Sequence, residues 1–135
     1  MLTTCKLAER TTGAIVADSL EVADGFWSRL VGWQFRKSVP PGRGLLIVPC
    51  PSVHTFCVRF AIDVVMLDRQ GIIVEIRRNV RPWRIVLPKQ KTYAILELPA
   101  GTATVAVGTR LCVTSADATL SPQSLRFLSS REIDD

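Results

Sequence analysis

The sequence lacks the usual marks of a secreted, membrane-spanning or metal-binding protein. It has one histidine, His54, and four cysteines, at positions 5, 50, 57 and 112, with no CxxC pair. This spacing predicts free thiols in a reducing compartment and no disulfide framework. No apolar run approaches the ~18 residues of a membrane span, and no long apolar core follows Lys6 as a secretory signal requires. We therefore expect a cytoplasmic protein without a transmembrane segment.

The size and composition indicate one compact domain. The chain has 135 residues, of which 47% are hydrophobic and 21% charged. A domain of this size buries enough surface to fold without disulfides or metal. We assign residues 1–118 to a single domain and residues 119–135 to a C-terminal tail that docks in part through Leu125, Phe127 and Leu128.

The net charge of +5 is concentrated in the middle of the chain. Residues 29–91 carry twelve Lys/Arg and three Asp/Glu. Such a basic stretch is compatible with phosphate, nucleic acid or anionic lipid as a partner, and equally with a solvated face that keeps the protein in solution.

The first third of the chain predicts a hairpin followed by a helix. Residues 3–7 and 14–22 are short β-branched segments on either side of the turn Thr11-Thr12-Gly13. Asp24 is the predicted N-cap of the helix, and Gly32 is its predicted end. The apolar residues between them share one helical face, which we expect to pack against the hairpin: Phe26, Trp27, Leu30 and Val31.

Strand patterns dominate after the loop at residues 38–44. Continuous or alternating apolar runs with Gly and Pro between them predict strands at 45–48, 53–58, 63–67, 72–77, 85–87, 92–98, 104–107 and 111–115. Residues 68–71 predict a hairpin turn with Gly71 in the unusual conformation. The fold class is mainly β (α+β): a small barrel-like or curved antiparallel β-sheet domain with one N-terminal helix.

The segment from Cys50 to Asp63 places reactive side chains in an apolar stretch. If residues 53–58 form a strand, His54, Phe56 and Val58 share one face, and Cys57 lies on the other with Thr55 and Arg59. That alternation disfavours a Cys–His nucleophile pair or a zinc site built from His54 and Cys57, so we predict no metal and no cofactor. Cys50 could still fold back toward His54. A hydrogen-bonded structural role for His54 and Asp63 is the main alternative to a functional site.

Several motifs resemble the DUF192 (UPF0127) family. They are Arg29-x-x-Gly32, Arg36, Gly44-Leu45-Leu46-Ile47-x-Pro49-Cys50-x-Ser52-Val53-His54-Thr55-Phe56, Arg59-Phe60-x-Ile62-Asp63, and Leu96-Glu97-Leu98-Pro99-Ala100-Gly101. They agree with the family in order and spacing over residues 19–113. The resemblance implies a small, mostly β prokaryotic protein whose biochemical function is unknown.

The chain also departs from the family pattern. The family usually has Met at Val58 and Pro at Ala61, and it favours Leu at Trp33 and Gly at Phe35. It commonly has Gly-Asp where this chain has Gly108-Thr109.

Three functional hypotheses follow. The first is a soluble small-ligand or peptide-binding module with basic side chains that suit an anionic group. Its candidate site residues are Arg36, His54, Thr55, Arg59, Asp63 and Glu97. The second is binding of nucleic acid or another anionic surface through residues 77–91. Its candidate residues are Arg77, Arg78, Arg81, Trp83, Arg84, Lys89 and Lys91. The third, and least favoured, is a hydrolase that uses His54 and Asp63.

Overall fold

The computed structural model describes residues 5–50, 52–55, 57–114 and 123–129. Within these ranges the chain forms ten strands, one short α-helix and a C-terminal 3₁₀ helix. In chain order they are β1 Lys6–Glu9, β2 Ile15–Ala17, β3 Ser19–Ala23, α1 Phe26–Val31, β4 Arg43–Ile47, β5 Val53–His54, β6 Ile62–Leu67, β7 Ile73–Val80, β8 Ile85–Val86, β9 Ala94–Pro99, β10 Leu111–Thr114 and the 3₁₀ helix Gln123–Leu128.

A five-stranded sheet in the order β3-β4-β9-β6-β7 forms the centre of the domain. A three-stranded sheet, β10-β1-β2, and the pair β5-β8 complete the β structure of the described residues. All pairings are antiparallel except β3 with β4, which are joined by the crossover through α1. This confirms the mainly β prediction with curved sheets and few helices, although the described strands do not close into a barrel.

The central strand β9 is buried on both faces. Leu96 and Leu98 belong to one apolar core together with Leu7 and Leu20. Ile95 belongs to a second core on the opposite face, which contains Trp33 among its members. A strand between two cores is expected to read as a continuous apolar run, and β9 does so apart from Glu97.

One predicted strand is shorter than expected, and another is absent. The strand predicted at 53–58 ends at His54, and Cys57 lies in a turn with φ 61°. The predicted alternation of faces therefore does not continue to Cys57 and Val58, and Phe56 lies outside the described residues. Residues 104–107 form a loop that buries Val105, instead of a strand.

The helix begins and ends near its predicted bounds but packs differently. Gly25, not Asp24, is the N-cap, because the Ser28 hydroxyl bonds both the N–H and the carbonyl of Gly25. Gly32 ends the helix, as predicted. No residue of α1 is buried, and Phe26 and Trp27 are 67% and 72% exposed. The predicted packing of the apolar face against the hairpin is therefore wrong.

The hairpin between β6 and β7 forms as predicted. The Asp68 carboxylate accepts hydrogen bonds from the N–H groups of Gln70 at 2.8 Å and Ile72 at 3.0 Å. Gly71 has φ 77°, and a Cβ there would lie 2.8 Å from Leu128. Both the backbone conformation and the close approach require glycine at this position.

The C-terminal 3₁₀ helix contacts the core. Leu125 and Leu128 are buried in the same core as Leu7, and the rings of Tyr93 and Phe127 pack edge to face at 5.1 Å. Residues 119–122 and 130–135 of the predicted tail, residue 115 of the predicted strand 111–115, and residues 3 and 4 of the predicted first strand lie outside the described residues.

Candidate functional site

A cavity of about 330 Å³ lies between α1, β4, β5 and β9. Its volume falls within the usual range of small-molecule sites. The lining residues are Phe26, Arg29, Leu30, Val31, Gly32, Trp33, Gln34, Ile47, Pro49, Cys50, Ser52, His54, Val58 and Glu97. Most of these side chains are apolar, and the exposed Phe26 and Leu30 place part of the lining at the protein surface.

Glu97 is the buried polar residue of this cavity. Its side chain projects from the central strand β9, and only 2% of the residue is exposed. Its Oε2 atom has no hydrogen-bond partner among the described residues. Burial raises the pKa of Glu97 to about 8. The carboxyl group is therefore mostly protonated at neutral pH and has unused hydrogen-bonding capacity that faces the cavity.

The sheet register explains why Glu97 is isolated. Glu21, Leu45, Glu97, Val64 and Arg77 pair side by side across β3, β4, β9, β6 and β7. Strands lie about 4.8 Å apart, so the two charged residues at the ends of this row are each roughly 10 Å from Glu97. The immediate neighbours of Glu97 in the row are apolar.

Glu21, at one end of the row, is fully paired. Its carboxylate accepts hydrogen bonds from the Trp33 indole at 2.8 Å and from Arg36 Nη1 at 3.0 Å, and Arg36 Nη2 lies 2.9 Å from Oε1. Arg43 approaches to 3.7 Å. Burial opposes ionisation of Glu21, but these hydrogen bonds and charges lower its pKa below the usual value. Sequence reasoning missed Glu21, although an acidic residue within a buried strand segment was a usable signal.

Cys50 and His54 lie on the loop and strand that follow β4. The Cys50 thiol donates to the Ser52 carbonyl at 2.8 Å, and burial raises its pKa. A thiol with a raised pKa is a poor nucleophile, so this geometry does not create an activated cysteine. His54 pairs with Ile85 of β8 and lines the cavity.

Thr55 holds a loop in place. Its hydroxyl donates to the Arg81 carbonyl at 2.7 Å and accepts from the Arg84 N–H at 2.8 Å. The Trp83 N–H also donates to the Thr55 carbonyl at 3.0 Å. Thr55 is buried, and these hydrogen bonds fix the turn at residues 81–84.

Asp63 is likewise committed to backbone groups. Its Oδ1 accepts from the Asn79 N–H at 2.9 Å, and its Oδ2 accepts from the N–H groups of Gly101 at 3.0 Å and Ala103 at 3.1 Å. The side chain is buried. It thus ties β7 and the loop after β9 to β6.

The structure brings together two of the six predicted ligand-binding residues. His54 and Glu97 line the same cavity. Arg36 is paired with Glu21, while Thr55 and Asp63 bond to backbone. Arg59 is exposed and, like Arg36, is not part of the cavity lining.

The predicted basic segment contributes to a second, more open cleft. Its volume is about 550 Å³, and Arg77, Arg78, Arg81 and Arg84 line it. Arg77 is paired with Glu75, and Arg78 donates to the Val105 carbonyl at 3.1 Å. Trp83, Lys89 and Lys91 are exposed but do not line this cleft.

No three His, Cys, Asp or Glu side chains of the described residues come close enough to share a metal ion. No helix in the same part of the chain is long and apolar enough to cross a membrane.

The sheets and the cavity define a small mainly β domain with one partly apolar pocket beside its helix. Residues 7–113 match the DUF192 family, described as uncharacterised. The chain belongs to this family, which confirms the resemblance seen in the sequence motifs. Phe35, where the resemblance implied Gly, has φ 68°, a backbone conformation in which glycine is unstrained.

The sequence similarity to known relatives extends over most of the domain. A UPF0127 protein of Pyrococcus furiosus is 34% identical over 111 residues, 75% of this chain and 91% of the relative. Another, from Pyrococcus abyssi, is 34% identical over 88 residues, 61% of this chain and 72% of the relative.

Solved structures with the same fold are more distant in sequence. A protein of Sinorhizobium meliloti, described as a candidate transcription regulator, has a TM-score of 0.68 and 24% identity over 79% of this chain and 89% of its own. A protein of unknown function from Novosphingobium aromaticivorans has a TM-score of 0.68 and 17% identity over 79% of this chain and 81% of its own. At this identity, the likeness shows the fold alone.

We predict that Asp63→Ala destabilises the domain by about 3 kcal/mol, because three backbone N–H groups lose a charged acceptor. Urea unfolding at pH 7 measures the loss. Asp68→Ala is the matched control, since it removes an acceptor of two N–H groups in an exposed turn and should cost only about 1 kcal/mol. Equal losses in the two variants would contradict the assigned role of Asp63.

We predict that the stability of the wild type falls as pH rises from 4.5 to about 8, owing to Glu97. In this window the unfolded chain has released the Glu97 proton, whereas the folded chain retains it. The contribution is at most about 1.4 kcal/mol per pH unit. Glu97→Gln should remove this part of the slope in urea unfolding between pH 5 and pH 8.

Glu21→Gln provides the opposite control from the same row. The pKa of Glu21 is lowered by its partners, so its ionised form stabilises the fold above the unfolded pKa and this contribution is lost on acidification. Glu21→Gln should therefore weaken the domain at pH 7. An unchanged pH slope in Glu97→Gln would refute the assignment of Glu97.

Proposed function

We propose that the protein is a binding module whose cavity beside α1 takes a small ligand, or an apolar side chain of a peptide. The observation that carries this proposal is Glu97, a buried carboxyl group whose Oε2 has no hydrogen-bond partner among the described residues and which lines a cavity. An unpaired buried polar group is unfavourable for folding, and buried carboxyl groups with a perturbed pKa cluster at functional sites.

The cavity lining indicates a mainly apolar ligand. Trp33, Ile47 and Val58 are buried side chains of its wall, and Phe26 and Leu30 contribute exposed apolar surface. A few polar groups among many apolar ones is the usual composition of a ligand site. Glu97 would fix the orientation of the ligand, with His54 and Cys50 as further polar contacts.

Binding can be tested with a fragment library and NMR chemical shifts of the labelled protein. Leu30→Ala should weaken the binding of a cavity ligand about fivefold or more, because Leu30 lines the cavity and is 49% exposed. Leu87→Ala is the matched control, since Leu87 is also exposed, at 67%, but lies outside the cavity. Unchanged ligand affinity in Leu30→Ala, or a library in which no fragment binds, would refute the proposal.

A second candidate function is binding of nucleic acid or another anionic surface. The supporting observation is that Arg77, Arg78, Arg81 and Arg84 line one cleft. Arg77 and Arg78 have internal partners, and Arg84 makes only a long hydrogen bond of 3.5 Å to the Pro82 carbonyl. Arg81 and Arg84 are therefore the main candidates for phosphate contacts.

Retention on heparin and on single-stranded DNA tests this second function. We expect that reversing the charge of Arg78, Arg81 and Arg84 to Glu abolishes retention at 50 mM salt, about the low end of the range where phosphate contacts dominate. Reversal of Lys6, Lys37 and Arg110, which lie outside the cleft, makes the same change in net charge. Absence of wild-type retention, or equal losses in both variants, would exclude a specific role of the cleft.

The hydrolase hypothesis gains no support. Asp63, its proposed partner for His54, accepts three backbone hydrogen bonds and lies outside the cavity lining.

A further inference from the structure

The buried part of the cavity combines a carboxyl group with apolar walls, and none of the described cations pairs with this carboxyl group. Glu97 is flanked in the sheet by Leu45 and Val64, and its Oε2 is unpartnered among the described residues. Trp33 and Ile47 contribute buried apolar surface. A group that enters this space must offer a hydrogen-bond donor to the ionised form of Glu97 or an acceptor to its protonated form.

The other charged and titratable groups of the cavity do not neutralise Glu97. From α1, Arg29 lines the cavity, but its guanidinium donates to the Asp24 carbonyl at 3.2 Å, at the start of the helix. From the loop and β5 come the Cys50 thiol, which donates to Ser52, and His54. From β3, Glu21 lies roughly 10 Å away across the row and is itself paired. Burial is the cause of the raised pKa of Glu97, and no cation within the described part of the chain offsets it.

We propose that the ligand of this cavity is an organic amine, whose protonated nitrogen pairs with Glu97 while its apolar body contacts Trp33 and Ile47. This inference rests on the proposed binding function and names the chemical class of the ligand. A charge-assisted hydrogen bond would supply the missing partner of the buried carboxylate. A cavity of about 330 Å³ has room for a small arylalkyl amine.

Amine binding is coupled to proton release. At neutral pH the free protein holds the Glu97 proton, because burial raises its pKa to about 8. The bound ammonium stabilises the carboxylate, so that the proton leaves to solvent as the ion pair forms. The affinity should accordingly rise up to about tenfold per pH unit from pH 5.5 to pH 7.5, and level off above pH 8.

Three probes of similar size test the chemical class: 2-phenylethylamine, the neutral 2-phenylethanol and the anionic 3-phenylpropionate. Isothermal titration calorimetry at pH 6.5 in phosphate and in HEPES measures both the affinity and the protons released. We expect the amine to bind at least tenfold more tightly than the other two, with release of up to one proton. Glu97→Gln should remove this preference, so that the amine no longer binds more tightly than 2-phenylethanol and no proton is released, and the folding of the variant is checked by thermal unfolding.

The outcomes separate the two proposals. Equal binding of all three probes, or amine binding without proton release in the wild type, overturns the amine inference and retains the binding module if Leu30→Ala weakens binding. Preference for 3-phenylpropionate overturns it in favour of an anionic ligand. Failure of every probe to bind in a Leu30-dependent manner overturns both proposals.

Discussion

The position of β9 between two cores is the constraint on which the rest of this structure depends. β9 pairs with β4 on one side and β6 on the other, and its side chains enter the two cores alternately. A polar residue in the middle of such a strand cannot reach solvent along the sheet. Water or a partner can approach Glu97 only from the face of the sheet that carries α1. On that face α1 borders a cavity and does not pack directly on the strand. The exposed helix and the buried carboxyl group are therefore two consequences of one arrangement.

Three carboxylates buried in the same sheet show how differently such groups can be accommodated. Glu21 has arginine partners and an indole donor, and Asp63 has three backbone N–H groups. Glu97 has neither, and it is tolerated because the protonated form avoids most of the desolvation penalty of a charge. The remaining unsatisfied oxygen still costs about 1–3 kcal/mol. A penalty of that size at the central strand destabilises the fold and therefore supports the proposal that Glu97 serves binding.

The sequence predicted four of the five strands of the main sheet well, because β4, β6 and β9 are largely apolar and β7 begins with apolar residues, with glycine or proline near the strand ends. It predicted α1 but not its exposure, since the spacing of Phe26 and Leu30 identifies an apolar face without saying what covers it. Alternation from Val53 onward was wrong because Cys57 turns the chain at φ 61°. The Glu21 network was beyond reach, and His54 and Glu97 were placed in one candidate site only through the family resemblance. Both depend on which strands become neighbours, and local periodicity carries no information about that.

One short motif couples the candidate site to the stability of the domain. Leu96-Glu97-Leu98-Pro99-Ala100-Gly101, part of the resemblance to DUF192, supplies the cavity carboxyl from Glu97 and, four residues later, an N–H group for Asp63 from Gly101. Gly101 has φ 84°, so the chain can turn there and present its N–H to β6. Asp63 in turn pairs with Leu98, next to Glu97, in the sheet. The bonds to Asp63 therefore fix the C-terminal end of β9, close to Glu97. Asp63 does not line the cavity, and we interpret it as a positioning residue for Glu97. The polar residues that were grouped into one predicted site thus have two different roles. Asp63 is structural, and it holds Glu97, the candidate binding residue, in place.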